Sequence, residues 1–224
     1  MPTFVMVISP FNVLLFDLDG TLVDTAPDLG FALNTLLEQE GRKQLDHALI
    51  RPVASNGSAG LLKLGFGIDR ENPAYSVLQQ RFLQIYADNL TRESALFIGM
   101  RKVLDTLTAN QIRWGVVTNK PAFLTDPLMQ QLQLTDQAAC IVSGDTTAYS
   151  KPHPAPIHHA CELLSVSPAD CVYIGDAQRD IEAAKNAHMR AVVARYGYIE
   201  HDENIDLWQA DCVINHPLEI LQWI

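Results

Sequence analysis

Five residues from Asn12 to Phe16 form a nearly continuous apolar run that stops abruptly at Asp17. A run of that length bounded by a charge reads as a strand buried on both faces, as parallel sheets require. Similar short apolar runs recur at Ile112–Val117, Ala138–Val142, Cys171–Ile174, Ala191–Ala194 and Cys212–Ile214. Helical patterns lie between them at Met100–Leu107, Pro121–Leu132, Pro154–Leu164 and Ile181–Ala187, with Pro154 at a plausible first-turn position. Strands alternating with helices predict an α/β fold built on a doubly wound parallel sheet. Ligands of such sheets bind beyond the carboxyl ends of the strands, so the residues directly after each run carry the most functional information.

The stretch from Asp24 to about Asn89 departs from this alternation and reads as helical throughout. Leu29, Ala32, Leu33, Leu36 and Leu37 lie on one stripe of a helix that begins behind Pro27 and stops near Gly41. Further helices are predicted over 46–53, 59–65 and 73–89, separated by loops at Ser55-Asn56-Gly57-Ser58 and Gly65-Phe66-Gly67. The pattern places a helical insertion between the first strand and the rest of the sheet.

Composition narrows the function. The chain has 224 residues, 48% of them hydrophobic, and a formal charge of −10. That is a globular composition with enough length for one large domain or two unequal ones. The negative balance argues against nucleic acid and against an anionic membrane surface as partners, because both are repelled at long range. Cys140, Cys161, Cys171 and Cys212 include no CxxC pair and read as small apolar residues, with neither a disulfide framework nor a zinc site. The apolar stretch Val5 to Phe16 is broken by Ser9, Pro10 and Asn12 and follows no Lys or Arg, so it reads as neither signal peptide nor membrane span. The cytoplasm is then the default location, with Met1 and Met6 both available as starts ahead of the first strand.

Charged and hydroxyl residues collect at the predicted strand ends: Asp17-Leu18-Asp19-Gly20-Thr21, Thr118-Asn119-Lys120-Pro121, Lys151-Pro152, and Gly175-Asp176 with Arg179-Asp180. Each alone has an ordinary reading, since Asp-Gly makes turns, Thr-Asn caps helices and Lys-Pro sits at surfaces. Four such groups in order on one scaffold point to a shared site. The set DLDGT, TN, KP and GDAQRD resembles the four motifs of the haloacid-dehalogenase superfamily of phosphohydrolases, over essentially the whole chain. The insertion after the first motif is similar to the small α-helical cap of the phosphoglycolate-phosphatase-like branch. The resemblance implies a Rossmann-like core over 1–23 and 92–224 and a cap domain over 24–91. A narrower resemblance, in WGVVTNKP, GDAQRDIEAAKNA, VVARYGYI and WQADCVINHPLE, is to N-acetylmuramic acid 6-phosphate phosphatases.

Phosphoryl transfer needs an in-line nucleophile, charge stabilisation on the transferred oxygens and a proton for the leaving alkoxide. A carboxylate is ordinarily ionised at neutral pH, so Asp17 needs no activating base to form an aspartyl-phosphate. Asp19, two positions along the same turn, can reach the leaving oxygen and later deprotonate water. By resemblance Asp17 is the nucleophile and Asp19 the general acid/base. A phosphate dianion cannot approach ionised carboxylates without a cation, and oxygen donors without His or Cys select Mg²⁺ over zinc. The family pattern gives that ion the carboxylate of Asp17, the main-chain carbonyl of Asp19 and the carboxylate of Asp176. Asp180 then orients metal-bound water or Lys151, although the two acidic positions trade roles across the superfamily.

Lys151 and Thr118 are expected at the phosphoryl oxygens, with the amides of Asn119 and Leu18 completing the cup. Asn119 is equally suited to cap the helix that follows, and Thr21 to brace its own loop. The insertion would choose the substrate, a small phosphate ester, through Arg51 and the Ser55-Asn56-Gly57-Ser58 loop. Arg51 reads as well as a solvated helix residue. His153, His158 and His159 fall on different helix faces and read as plain helix residues. The leading expectation is a Mg²⁺-dependent phosphomonoesterase for N-acetylmuramic acid 6-phosphate, with 2-phosphoglycolate as the alternative. A phosphosugar mutase and a receiver-like phospho-acceptor share parts of the pattern. Receivers, however, are about half as long and carry no insertion.

Overall fold

The computed structural model describes residues 11–200 and 203–224. The segment containing Met1, Met6 and the start of the Val5–Phe16 stretch lies outside the described residues. Six parallel strands form the main sheet in the order β5-β4-β1-β6-β7-β8. They are β1 (Val13–Phe16), β4 (Arg113–Val117), β5 (Ile141–Val142), β6 (Cys171–Gly175), β7 (Arg190–Ala194) and β8 (Cys212–Ile214). Within the apolar run predicted over Ala138–Val142, Ile141 and Val142 stand opposite Val116 and Val117, and the bonding to β4 begins earlier, with the Ala139 N–H donating to the Trp114 carbonyl at 2.7 Å and the Val116 N–H to the Cys140 carbonyl at 2.9 Å.

Strand β1 is buried along its whole length, and its side chains alternate between two cores. Leu14 and Phe16 pack with Met100, Val103 and Leu104 of α5 (Met100–Ala109) and with Leu124 and Leu128 of α6 (Ala122–Gln131). Val13 and Leu15 pack with Ile157 and Ala160 of α7 (Ala155–Leu164) and with Ile181 and Ala184 of α8 (Gln178–Asn186). Helices therefore cover both faces, which is why the strand sequences read as unbroken apolar runs. The chain extends from β1 outward on one side and returns to β6 on the other, so the carboxyl end of β1 is the topological switch point.

Between β1 and the rest of the sheet lie α1 (Ala26–Gln39), α2 (His47–Ile50), α3 (Gly57–Phe66) and α4 (Tyr75–Ala87). The predicted stripe Leu29, Ala32, Leu33, Leu36 and Leu37 is buried against Leu61, Leu62, Phe82 and Tyr86. Ser55-Asn56-Gly57-Ser58 is not the loop its composition suggested. Arg51–Asn56 forms a 3₁₀ helix that runs straight into α3, and the bend falls on Gly57 at φ 59°. Pro52, just after α2, has no N–H to give the Ala48 carbonyl, so the α-helical bonding stops there and the chain continues in the tighter 3₁₀ winding. Two short strands, β2 (Val23–Asp24) and β3 (Ala95–Leu96), pair antiparallel and bring the two ends of the helical segment together. At two residues each they are too short to leave a periodic trace in the sequence.

Candidate active site

Strand β1 ends with the Asp17 N–H donating to the Ile174 carbonyl at 2.9 Å, so Asp17 is held as an extension of the sheet. The chain then turns tightly, with Gly20 at φ 85° donating to the Val23 carbonyl at 3.0 Å. A side chain at Gly20 would collide with the Asp176 carboxylate and the Tyr198 ring, so this turn needs glycine for both its φ and its closeness. Asp176 directly follows β6, and Asp180 sits in the first turn of α8 with Oδ2 accepting the Ala177 N–H at 3.0 Å.

Lys151 binds these pieces together. Its Nζ lies 2.9 Å from Asp17 Oδ1 and 2.7 Å from Asp180 Oδ1. It also donates to the Val117 carbonyl at 2.8 Å and to the Tyr173 hydroxyl at 2.7 Å. Burial works against its charge, but Asp17 and Asp180 outweigh burial and hold the ammonium above the ordinary lysine pKa. Asp17 Oδ1 further accepts the Leu18 N–H at 2.7 Å, which fixes the rotation of the carboxylate. That amide serves Asp17 here.

Asp17, Asp176 and Asp180 bring carboxylate oxygens within 4.8 Å of one another, all buried. One lysine cannot neutralise them. Burial first, and then Asp180, pushes the Asp17 carboxyl up to about 6, and burial together with Asp17 and Asp180 pushes Asp176 up to about 7. The ordinary ionisation expected for Asp17 from sequence is thus opposed by its surroundings until more positive charge arrives. Thr21 Oγ1 donates to Asp176 Oδ1 at 3.2 Å, which ties its loop to the end of β6. Ser55 Oγ and the Tyr198 N–H both donate to Asp176 Oδ2, each at 2.8 Å.

The Asp19 carboxylate turns away from this cluster. Its Oδ1 accepts from Thr25 Oγ1 at 2.6 Å and from Lys120 Nζ at 2.9 Å. Lys120 is itself buried and donates to the Tyr86 hydroxyl of α4 at 2.8 Å. Asn119 caps no helix: its amide donates to the Lys151 carbonyl and accepts the Lys151 N–H, both at 2.9 Å. Its side chain is therefore spent on seating Lys151, and Thr118 Oγ1 accepts the Lys120 N–H at 3.1 Å.

A cavity of about 430 Å³ lies between the strand ends and the helical segment. Asp17, Asp19, Thr118, Asn119 and Lys120 form its floor, and Ser55, Asn56, Gly57 and Ser58 part of its roof. Arg51 is not among the lining residues. It pairs with Asp24 at 2.9 Å and stacks over the Tyr198 ring at 5.0 Å, so its charge is already answered inside the protein. Arg70 and Arg179 line the cavity instead, and Arg179 also donates to the Ser55 carbonyl. Lys120 and Arg179 lie inside motif runs at strand ends and could have been selected on position alone. Tyr86, Thr25 and Arg70 carry no such signal, since only packing of the helical segment brings them here.

The model of the haloacid dehalogenase-like hydrolases matches residues 14–194. The chain belongs to that family. Its relatives are phosphatases, and the chain is a phosphoric monoester hydrolase. It is 40% identical over 209 residues to the N-acetylmuramic acid 6-phosphate phosphatase of Pseudomonas putida, covering 93% of this chain and 94% of that one. It is 41% identical over 206 residues to the phosphoglycolate phosphatase of Xylella fastidiosa, covering 92% and 90%. The crystal structure of a predicted phosphoglycolate phosphatase from Haemophilus somnus superposes with a TM-score of 0.83 at 27% identity, over 95% of this chain and 97% of that one.

Proposed function

We propose that this phosphatase is Mg²⁺-dependent, works through an aspartyl-phosphate on Asp17, and acts on N-acetylmuramic acid 6-phosphate. The observation that carries the proposal is the buried trio Asp17, Asp176 and Asp180 around Lys151. Three carboxylates against the Lys151 ammonium and the Arg179 guanidinium still leave a deficit of positive charge, and their donors are all oxygen, which suits a hard divalent ion. The carboxylates of Asp17 and Asp176 and the main-chain carbonyl of Asp19 would hold it, with Asp180 beside them. When bound, Mg²⁺ supplies the positive charge that lets a phosphate dianion approach the carboxylates.

An Asp17 carboxylate oxygen attacks phosphorus as the ester P–O bond breaks. Asp19, entering the cycle as the carboxylic acid and aimed by Thr25 and Lys120, gives its proton to the departing alkoxide. Asp19 then takes a proton from water, which attacks phosphorus and breaks the bond to Asp17. Phosphate leaves and both carboxyl groups return to their starting states. Thr118 and the main-chain N–H of Asn119 face the phosphoryl oxygens, and Lys151 holds Asp17 in line. Residues 24–91 act as the cap that closes over the ester.

The cavity supports the larger of the two candidate substrates. About 430 Å³ falls within the roughly 300–1,000 Å³ that encloses ligands of drug size. A two-carbon phosphoglycolate would leave most of it unfilled. Phosphate release in Mg²⁺ should disappear in Asp17→Asn, and kcat/KM should favour N-acetylmuramic acid 6-phosphate over 2-phosphoglycolate. Undiminished release in that variant overturns the mechanism. An isomerised sugar phosphate without free phosphate would instead mark a mutase.

A further inference from the structure

Four of the cations around the cavity are already matched by acidic or carbonyl groups. Lys151 faces Asp17 and Asp180, Lys120 faces Asp19, and Arg51 faces Asp24. Arg179 donates to the Ser55 carbonyl and lies in the field of Asp180, Asp17 and Asp176. Arg70 differs. It lines the cavity, yet among the described residues it forms no hydrogen bond, ion pair or ring contact.

Arg70 is solvent-exposed and stands at the rim of that space. Arg70 is in the connection between α3 and α4, in a turn closed by the Asn72 N–H on the Asp69 carbonyl at 3.2 Å. The Asp69 side chain is occupied within the same turn, accepting the Glu71 N–H at 3.1 Å. Across the roof, Gln79 of α4 donates to Ser58 Oγ of α3 at 2.9 Å, so both polar groups are held at the cavity wall. Phe82, Leu83 and Leu29 supply apolar lining beside them. This part of the cavity therefore offers a guanidinium, two neutral polar side chains and an apolar wall.

We infer that Arg70 is a specificity-determining residue that binds a carboxylate on the leaving group of the substrate. The substrate class is then a phosphate monoester whose alcohol carries a carboxylate apart from the phosphate. A planar guanidinium matches a carboxylate through paired N–H donors, which a neutral hydroxyl cannot reproduce. The inference rests on the phosphomonoesterase reading above and moves the cationic role once expected of Arg51 to Arg70.

N-acetylmuramic acid 6-phosphate and N-acetylglucosamine 6-phosphate test it, because they differ only in the ether-linked lactyl group with its carboxylate. The native enzyme should prefer the first in kcat/KM. Arg70→Met should shrink that preference by about ten- to a hundredfold, the range for losing one charge-assisted contact. Arg70→Lys should restore part of it, and Arg51→Met should leave the preference in place. A preference unchanged in Arg70→Met, or both esters falling in equal proportion, overturns the inference. Absence of phosphate release from either ester by the native enzyme would instead overturn the underlying phosphatase substrate reading, so the two failures are distinct.

Discussion

Ser55 donates its hydroxyl to Asp176 Oδ2 at 2.8 Å, joining the helical segment to the acidic cluster across 121 positions of sequence. The Arg179 guanidinium, from the first turn of α8, donates to the Ser55 carbonyl. The helical segment is thus tied to the sheet at the very residue proposed as a metal ligand. Removing the hydroxyl in Ser55→Ala should lower stability by about 0.5–1.5 kcal/mol, as for a typical hydrogen bond from a half-buried donor. Urea unfolding reads that loss, and limited proteolysis should show faster cutting within the helical segment. Unchanged values in both would mean that the contact contributes nothing to closure.

The pairing of Lys120 with Asp19 leads to a prediction about leaving groups. An alkyl ester needs a proton on its departing oxygen, whereas a dinitrophenolate leaves without one. In kcat/KM, which reports only steps through loss of the alcohol, Asp19→Asn should cost an alkyl phosphate about a hundredfold or more. The 2,4-dinitrophenyl ester should lose far less. Lys120→Met should show the same pattern more weakly, since Thr25 still holds Asp19, and Tyr86→Phe weaker still. Equal losses on both esters in Lys120→Met would assign Lys120 to packing and not to aiming Asp19.

Raised carboxyl pKa values fix the direction of a stability change with pH. Asp17 and Asp176 are held near about 6 and about 7, above the ordinary 3.8. A carboxyl with a higher pKa when folded binds its proton more tightly in the folded state. Its contribution to stability is therefore full below about pH 4 and is lost as pH rises through the folded values. Metal-free protein should show a falling Tm between about pH 5 and pH 8, and Asp176→Asn should flatten that fall. Added Mg²⁺ should raise Tm more near pH 8 than near pH 5, because the ion competes with protons for the same oxygens. An equal Mg²⁺ shift at both values would place the ion elsewhere.

Local pattern carried much of the architecture because the signals involved are themselves local. The run Asn12–Phe16 announces a strand buried on both faces, and β1 divides its side chains between two cores. The α1 stripe at Leu29, Ala32, Leu33, Leu36 and Leu37 is buried as its spacing requires. Asp17, Asp176, Asp180 and Lys151 were legible because a parallel sheet gathers whatever follows its strands at one edge. Elements without periodicity were not. The two-residue strands β2 and β3 left no trace, and Ser55-Asn56-Gly57-Ser58 looked like a loop where the chain winds from a 3₁₀ helix into α3.

By itself the sequence determined which residues stand at the strand ends and therefore what chemistry the site can hold. Tertiary structure decided how each charge is used. Arg51 and Arg70 are both arginines of the helical segment, and nothing in their local sequence ranks one above the other. Packing sets Arg51 against Asp24 and Tyr198 and leaves Arg70 exposed at the cavity rim. Asn119 likewise turns from a helix cap into the seat of Lys151 only because β4 brings it beside residue 151. A side chain's charge is written in its own position, but its partner comes from wherever the fold places the rest of the chain.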